Sequence, residues 1–155
     1  MPRKLFVADD DEGQREMILT AAEQAHFQRA EVCVVASPEK AHSVIDNSSE
    51  PFSLAVVDLR LAGGESIRPG LEVIKHLRDK FDLCVVIALT NDHPNVGKQA
   101  IWAGASDFVS IKEFAGWRDA SELATPGREL WVHHLRDRLL LWLGVNEPFL
   151  AGTER

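Results

Sequence analysis

Basic residues are in the minority in this chain. Its 155 residues include 17 Lys and Arg against 24 Asp and Glu, which gives a formal net charge of −7. A protein that binds DNA or RNA needs a basic face to meet the phosphates. The charge balance therefore predicts no direct contact with nucleic acid.

Long apolar runs are also missing. The densest run, 139–143, is far shorter than the roughly 20 residues that a helix needs to cross a bilayer. Only four apolar residues separate Lys4 from Asp9, too few for the apolar segment of a signal peptide. We therefore expect a soluble, cytoplasmic protein that does not insert into a membrane.

Cysteine occurs only twice, as Cys33 and Cys84. Each lies within a short apolar run, which favours buried free thiols. A disulfide between them stays open, whereas the spacing supplies no partners for a metal site built on thiolates.

Short apolar runs rich in β-branched residues alternate with longer amphipathic stretches. The predicted strands are 4–8, 31–35, 53–57, 83–89 and 106–111, and the predicted helices are 12–26, 38–47, 70–80, 94–103 and 127–143. Strands that alternate with helices form a parallel sheet covered on both faces. The sequence predicts one doubly wound α/β domain over 1–144, with a five-stranded parallel sheet, and a C-terminal tail at 145–155.

Polar residues follow the predicted strands at the point where each strand ends. They are the aspartates 9–11, Asp58, the segment 90–92 that begins with Thr90, and Lys112. The carboxyl ends of parallel strands share one edge, where ligands bind. Clustered carboxylates repel one another unless a cation lies among them, and oxygen ligands suit Mg²⁺. One carboxylate there could attack phosphorus, while a hydroxyl and a lysine hold the phosphoryl oxygens.

In this order, the motifs resemble those of the receiver domains of two-component response regulators. They lie at 7–11, 56–58, 88–90 and 103–108, followed by Lys112, and the resemblance covers about residues 3–143. The roles that the resemblance implies are Asp58 as phosphoacceptor, Asp10 as direct Mg²⁺ ligand, Asp9 as ligand through water, the Arg60 backbone carbonyl as remaining protein ligand, Thr90 as switch hydroxyl, Lys112 as phosphate-binding lysine and Phe108 as switch aromatic.

The resemblance also implies a fold, a cofactor and partners. The sheet is expected to be flavodoxin-like, with strand order 2-1-3-4-5 and five helices. The expected function is that of a stand-alone phospho-receiver, which uses Mg²⁺ and assists its own phosphorylation and dephosphorylation without being an enzyme. Its phosphodonor would be a sensor histidine kinase or a phosphotransfer protein. The signal would leave through a downstream protein or a homodimer contact on the last helix, whose apolar residues exceed one stripe.

Two features depart from the family pattern. The glycine that usually lies eight residues after the phosphoacceptor has its match at Gly70, twelve after Asp58, so the loop that rims the site is about four residues longer. Lys112 follows Phe108 after three residues instead of two, and Glu113 replaces the usual proline. Because a one-residue shift turns a strand side chain to the opposite face, Lys112 needs a bulge or a bend to reach the site.

Two other functions stay open at this point. A haloacid-dehalogenase-like phosphatase would use Asp9 as its nucleophile, since that family has a strand followed by Asp-x-Asp. However, Gly13 stands where that family prefers Thr or Val, and Asp58 would have no role. A pseudo-receiver would keep the fold without phosphorylation, with the guanidinium of Arg60 in place of Mg²⁺.

The remaining aromatic residues carry no motif. The six histidines are scattered along the chain, and we expect solvated helix positions rather than ligands. Trp102 and Trp131 are expected to be packing residues rather than platforms for a ligand.

Overall fold

The sheet has the predicted topology. The computed structural model describes residues 3–90, 95–110 and 125–154. Its parallel strands are β1 (Leu5–Ala8), β2 (Val32–Val35), β3 (Leu54–Asp58), β4 (Val85–Thr90) and β5 (Asp107–Ser110). They lie in the order β2-β1-β3-β4-β5, which confirms the doubly wound, flavodoxin-like sheet.

Within the described residues, five helices connect or follow the strands. They are α1 (Glu12–Gln24), α2 (Pro38–Asn47), α3 (Arg68–Lys80), α4 (Asn95–Ala103) and α5 (Thr125–Glu154), with a short 3₁₀ helix at Arg29–Glu31. Ser37 caps α2 by accepting the backbone N–H of Lys40, and Pro38 occupies the first turn, where its missing N–H costs nothing. α5 runs past its predicted end at 143, so residues 145–154 continue the helix. The boundary between domain and tail at 144 stays a prediction.

One apolar layer covers each face of the sheet. Because side chains alternate along a strand, Leu5 packs on the face that α1 and α5 cover, and Phe6 packs on the face under α2, α3 and α4. Trp131 on α5 is completely buried in the first layer, which confirms its expected packing role.

The expectation that Trp102 is a packing residue is wrong. Trp102 is 81% exposed, because the buried face of α4 runs through Gly97 and Ala100 and turns Trp102 outward. On α5, Leu143 is buried in the same layer as Leu139.

Both cysteines are free, so the disulfide does not form. Cys84 is buried as expected, whereas Cys33 on the edge strand β2 is only half-buried. Within the described ranges, none of the helices combines the length and the apolar character that a membrane span requires.

Candidate functional site: a carboxylate cluster at the carboxyl edge of the sheet

Three carboxylates meet where β1 and β3 end. Ala8 and Val57 are partners in the register of these neighbouring strands, so the next residues, Asp9 and Asp58, lie side by side. Oxygen atoms of Asp9, Asp10 and Asp58 all lie within 4.8 Å of one another. Asp9 is fully buried and Asp58 is 8% exposed, whereas Asp10 reaches solvent. The structure thus brings together the three predicted side-chain ligands.

Burial, together with this proximity, raises the pKa of the two buried carboxyl groups. Burial raises the pKa of Asp9 and of Asp58 above the ordinary value of 3.8, because a poorly polarisable interior disfavours charge. Repulsion from Asp9 and then from Asp10 raises the pKa of Asp58 further, and the backbone N–H of Arg60 opposes this. A cation among the three groups would remove the repulsion and restore the charged form.

Asp9 is held by groups at the start of α1. The backbone N–H of Asp11 donates to Asp9 Oδ1 at 2.9 Å, and the side-chain amide of Gln14 donates to Asp9 Oδ2. Asp11 in turn caps α1 by accepting the backbone N–H of Gln14 at 3.1 Å. Sequence reasoning missed Gln14. The available signal was a polar residue on the buried face of α1, one turn before Met17 and Ile18.

The backbone after Asp58 is fixed by two leucines. Leu59 and Leu61 are completely buried on either side of Arg60. The backbone N–H of Arg60 donates to Asp58 Oδ1 at 3.3 Å. The Arg60 carbonyl accepts a turn hydrogen bond from Gly63 at 2.9 Å, and its second lone pair leaves capacity for a cation.

Two glycines bring the long loop against this cluster. Gly63 has a positive φ of 76°, and a Cβ there would lie 2.8 Å from Oδ2 of Asp10. A Cβ on Gly70 would lie only 2.4 Å from the Leu59 Cα and 2.6 Å from the Asp58 carbonyl oxygen. The first turn of α3 therefore packs on the backbone of Asp58 and Leu59 only because residue 70 is glycine, which supports its match to the family glycine.

Two buried hydroxyls lie further along the same edge. Thr90 ends β4 and is 2% exposed, and its register partner Ser110 ends β5 and is fully buried. Leu89 on β4 is the register partner of Asp58 on β3. Thr90, the next residue, therefore lies one residue beyond the level of Asp58 on the neighbouring strand. Sequence reasoning missed Ser110. The predicted Lys112, with Asn91 and Asp92, lies outside the described residues.

The predicted switch aromatic packs on the backbone of α4. The Phe108 ring is half-buried, and three of its carbons lie 2.6 Å from the position a Cβ would take on Gly97. Glycine at 97 is therefore a condition for this position of the ring.

The response regulator receiver domain family matches residues 5–116. The chain belongs to this family. This receiver domain is 28% identical over 114 residues to the phosphate regulon transcriptional regulatory protein PhoB of Escherichia coli (strain K12). The match covers 71% of the chain and 45% of PhoB, so the chain spans about half the length of this relative.

Solved response regulators share the fold. The phosphorylated cyanobacterial phytochrome response regulator RcpA is 15% identical with a TM-score of 0.65, and the match covers 94% of this chain and 96% of that chain. The response regulator protein TrrA from Thermotoga maritima, in complex with Mg(2+)-BeF, is 22% identical with a TM-score of 0.56, over 70% of this chain and 85% of that chain. The family match decides against the phosphatase alternative that used Asp9.

Proposed function

We propose that this receiver domain accepts a phosphoryl group on Asp58 in a Mg²⁺-dependent reaction. The observation that carries the proposal is the convergence of Asp9, Asp10 and Asp58 within 4.8 Å at the carboxyl edge of the sheet. A cluster of this kind in a receiver domain supports phosphoryl transfer more than a structural role, because the uncompensated repulsion is costly.

The residues present fit a hard divalent cation. Asp9, Asp10 and Asp58 offer carboxylate oxygens and Arg60 its backbone carbonyl, with no nitrogen or sulfur ligand among them. When bound, Mg²⁺ would neutralise the charge of the phosphoryl oxygens. The complex of TrrA with Mg(2+)-BeF supports this choice of ion.

The phosphoryl transfer takes place at the carboxylate of Asp58. The Arg60 N–H donates to Oδ1 and orients the carboxylate. One carboxylate oxygen attacks the phosphorus of the donor, the donor group leaves with the bonding electrons, and an acyl phosphate forms. Water later cleaves the bond to phosphorus, which returns the carboxylate and inorganic phosphate. Thr90 would donate its hydroxyl to a phosphoryl oxygen, and Lys112 would add a positive charge.

The partners of this reaction are those of two-component signalling. The donor would be a sensor histidine kinase or a phosphotransfer protein in the cytoplasm. The response would leave through the last helix, to a downstream protein or a second copy of the chain. Leu130 and Leu141 on α5 are each 58% exposed, and Leu140 is 39% exposed, so α5 offers apolar surface beyond the stripe that it buries against the sheet.

A pseudo-receiver is the second candidate. The half-buried side chain of Arg60, two residues after Asp58, favours it, since a guanidinium can replace a cation among carboxylates. This domain would keep its contacts with partners without binding Mg²⁺ or taking a phosphoryl group.

One experiment distinguishes the two candidates. The wild type, Asp58→Asn and the exposed control Asp79→Asn are incubated with acetyl phosphate, with Mg²⁺ or with a chelator, and their intact masses are measured. We expect a gain of one phosphoryl group in the wild type and the control, only with Mg²⁺, and none in Asp58→Asn. Labelling of Asp58→Asn would refute the proposed acceptor. If the wild type gains no phosphoryl group and Mg²⁺ does not change its Trp fluorescence, the result favours the pseudo-receiver.

A further inference from the structure

Two histidines on neighbouring helices point their ring nitrogens at each other. The Nδ1 of His42 on α2 and the Nδ1 of His76 on α3 lie 2.7 Å apart. The ring centroids are 5.0 Å apart and the ring planes differ by 22°, so the rings meet edge to edge. Both side chains are half-buried. The expectation that the histidines are separate solvated positions is therefore wrong for this pair.

Asp46 determines which nitrogen of His76 carries a proton. His76 Nε2 lies 2.8 Å from Asp46 Oδ1, and a carboxylate can only accept, so Nε2 holds the hydrogen. In a neutral ring the Nδ1 of His76 then carries no hydrogen, and its lone pair is directed at His42. A single proton between the two Nδ1 atoms holds the pair together, and a cation could take the place of that proton.

The helices around the pair are already fixed. The ammonium group of Lys80 on α3 donates to the Asp46 carbonyl at 2.7 Å and to the Ile45 carbonyl at the end of α2. Apolar residues of both helices belong to one buried layer with the sheet. The two ring nitrogens therefore converge on a rigid scaffold, which lowers the ordering cost of binding.

We propose that His42 and His76 form a second metal site, for a divalent transition ion that prefers imidazole, such as Zn²⁺. The carboxylate behind His76 matches the arrangement in which a metal-bound histidine donates its other N–H to a carboxylate. Nitrogen ligands make this site distinct from the all-oxygen cluster at Asp58, because Mg²⁺ selects oxygen.

The geometry requires a small opening of the pair. Zinc–nitrogen bonds of about 2.0–2.1 Å at a tetrahedral angle separate two ligand nitrogens by about 3.3 Å. The two nitrogens must therefore move apart by about 0.6 Å from their 2.7 Å separation, and both rings must turn so that their lone pairs meet at the ion. Among the described residues, no His, Cys, Asp or Glu supplies a third ligand atom within 4.8 Å of both nitrogens, so water completes the shell.

A surface cavity reaches one ring of the pair, since His42 is part of its wall. It has a volume of about 390 Å³ and lies beside His42, with Glu39 and Glu72 in its wall. Arg68 also lines it and pairs with Glu72 at 2.9 Å. The second carboxylate, Glu39, is one turn before His42 and adds negative charge at the entrance.

Zinc titration tests the site on the full, untagged chain. Binding of ZnCl₂ is measured by calorimetry in excess Mg²⁺, which competes with zinc for the oxygen cluster. We expect one zinc site, weakened more than tenfold in His42→Asn and in His76→Asn, and about tenfold in Asp46→Asn. The controls are His133→Asn, exposed on α5, and Asp10→Asn, which changes the oxygen cluster. Both should bind zinc as the wild type does.

A second measurement needs no substitution and covers the case in which a variant fails to fold. In ¹⁵N spectra of the wild-type imidazoles, zinc should shift the Nδ1 resonances of His42 and His76. Any one of four results would overturn the proposal: no zinc binding, unchanged affinity in either histidine variant, loss of binding in Asp10→Asn, or shifts at other histidines alone. Asp10→Asn distinguishes zinc at the oxygen cluster from zinc at the histidine pair, and none of these readouts measures phosphorylation, so failure of the zinc site would leave the function proposed for Asp58 standing.

Discussion

The indole N–H of Trp142 on α5 donates to a carboxylate oxygen of Asp107, the first residue of β5, across 3.1 Å. Arg138, one turn earlier on α5, donates to both oxygens of the same carboxylate at 3.0 and 2.8 Å. The backbone N–H of Phe108 also donates to it, at 2.9 Å. One carboxylate thus joins the last helix to the backbone of Phe108, the predicted switch aromatic.

Trp142→Phe should lower the free energy of unfolding by about 1 kcal/mol, since it removes one hydrogen bond and keeps an aromatic ring. Urea unfolding measures the change. Trp102→Phe is the matched control, because Trp102 is 81% exposed and should lose nothing. Equal effects of the two substitutions would show that the bond to Asp107 does not stabilise the domain.

The metal-free domain should become less stable as the pH rises from about 4 to about 8. Burial raises the pKa of Asp9 to about 7 and that of Asp58 to about 8, against 3.8 in the unfolded chain. In this window the folded state binds more protons than the unfolded state, so its stability falls with rising pH.

The comparison with Asp58→Asn isolates this contribution. At pH 8 without metal, the variant should exceed the wild type by about 1–3 kcal/mol, and the difference should vanish near pH 4. Excess Mg²⁺ at pH 8 should raise the thermal midpoint of the wild type. Two results would contradict a raised pKa of Asp58 as the cause: a stability difference that stays constant at all pH values, or the same change in Asp79→Asn.

Gly63→Ala should weaken Mg²⁺ binding by about tenfold and destabilise the domain by about 1–3 kcal/mol. The substitution places a Cβ 2.8 Å from Asp10 Oδ2 at a positive φ, where a side chain is strained. Gly64→Ala is the control, since a Cβ there meets nothing within 4 Å. Titration with Mg²⁺ and thermal unfolding give the two readouts. Normal binding in Gly63→Ala would mean that the loop does not shape the position of Asp10.

Gly97→Ala should destabilise the domain by about 1–3 kcal/mol, although alanine normally favours a helix. Its Cβ would lie 2.6 Å from the ring of Phe108, so the ring has to leave its place. Gly144→Ala in α5, with nothing within 4 Å, should instead stabilise by up to about 1 kcal/mol. Ring proton shifts of Phe108 check the displacement directly, and unchanged shifts in Gly97→Ala would contradict it.

The sheet and its acidic edge could be predicted because each depends on local pattern. Each strand is a short apolar run, and strands separated by helices run parallel, so Asp9 and Asp58 had to lie on the same edge of the sheet. That β1 and β3 are neighbours followed only from the resemblance to receiver domains. The pairing of His42 with His76 could not be predicted, because 34 residues separate them and only the packing of α2 on α3 brings them together. The outward turn of Trp102 likewise depends on which side of α4 meets the sheet.

The loop between Leu61 and Gly70 can change the access of water to Asp58 without changing the stability of the fold. Both ends are anchored in the interior, while residues 62–66 are all exposed. A twofold change in the length of an exposed loop alters the free energy of closing the loop by only about 0.6 kcal/mol. In the proposed function, water would reach the phosphoryl group on Asp58 past this loop. A change in loop length that keeps Gly63 would therefore alter the lifetime of that group at little cost to the stability of the fold.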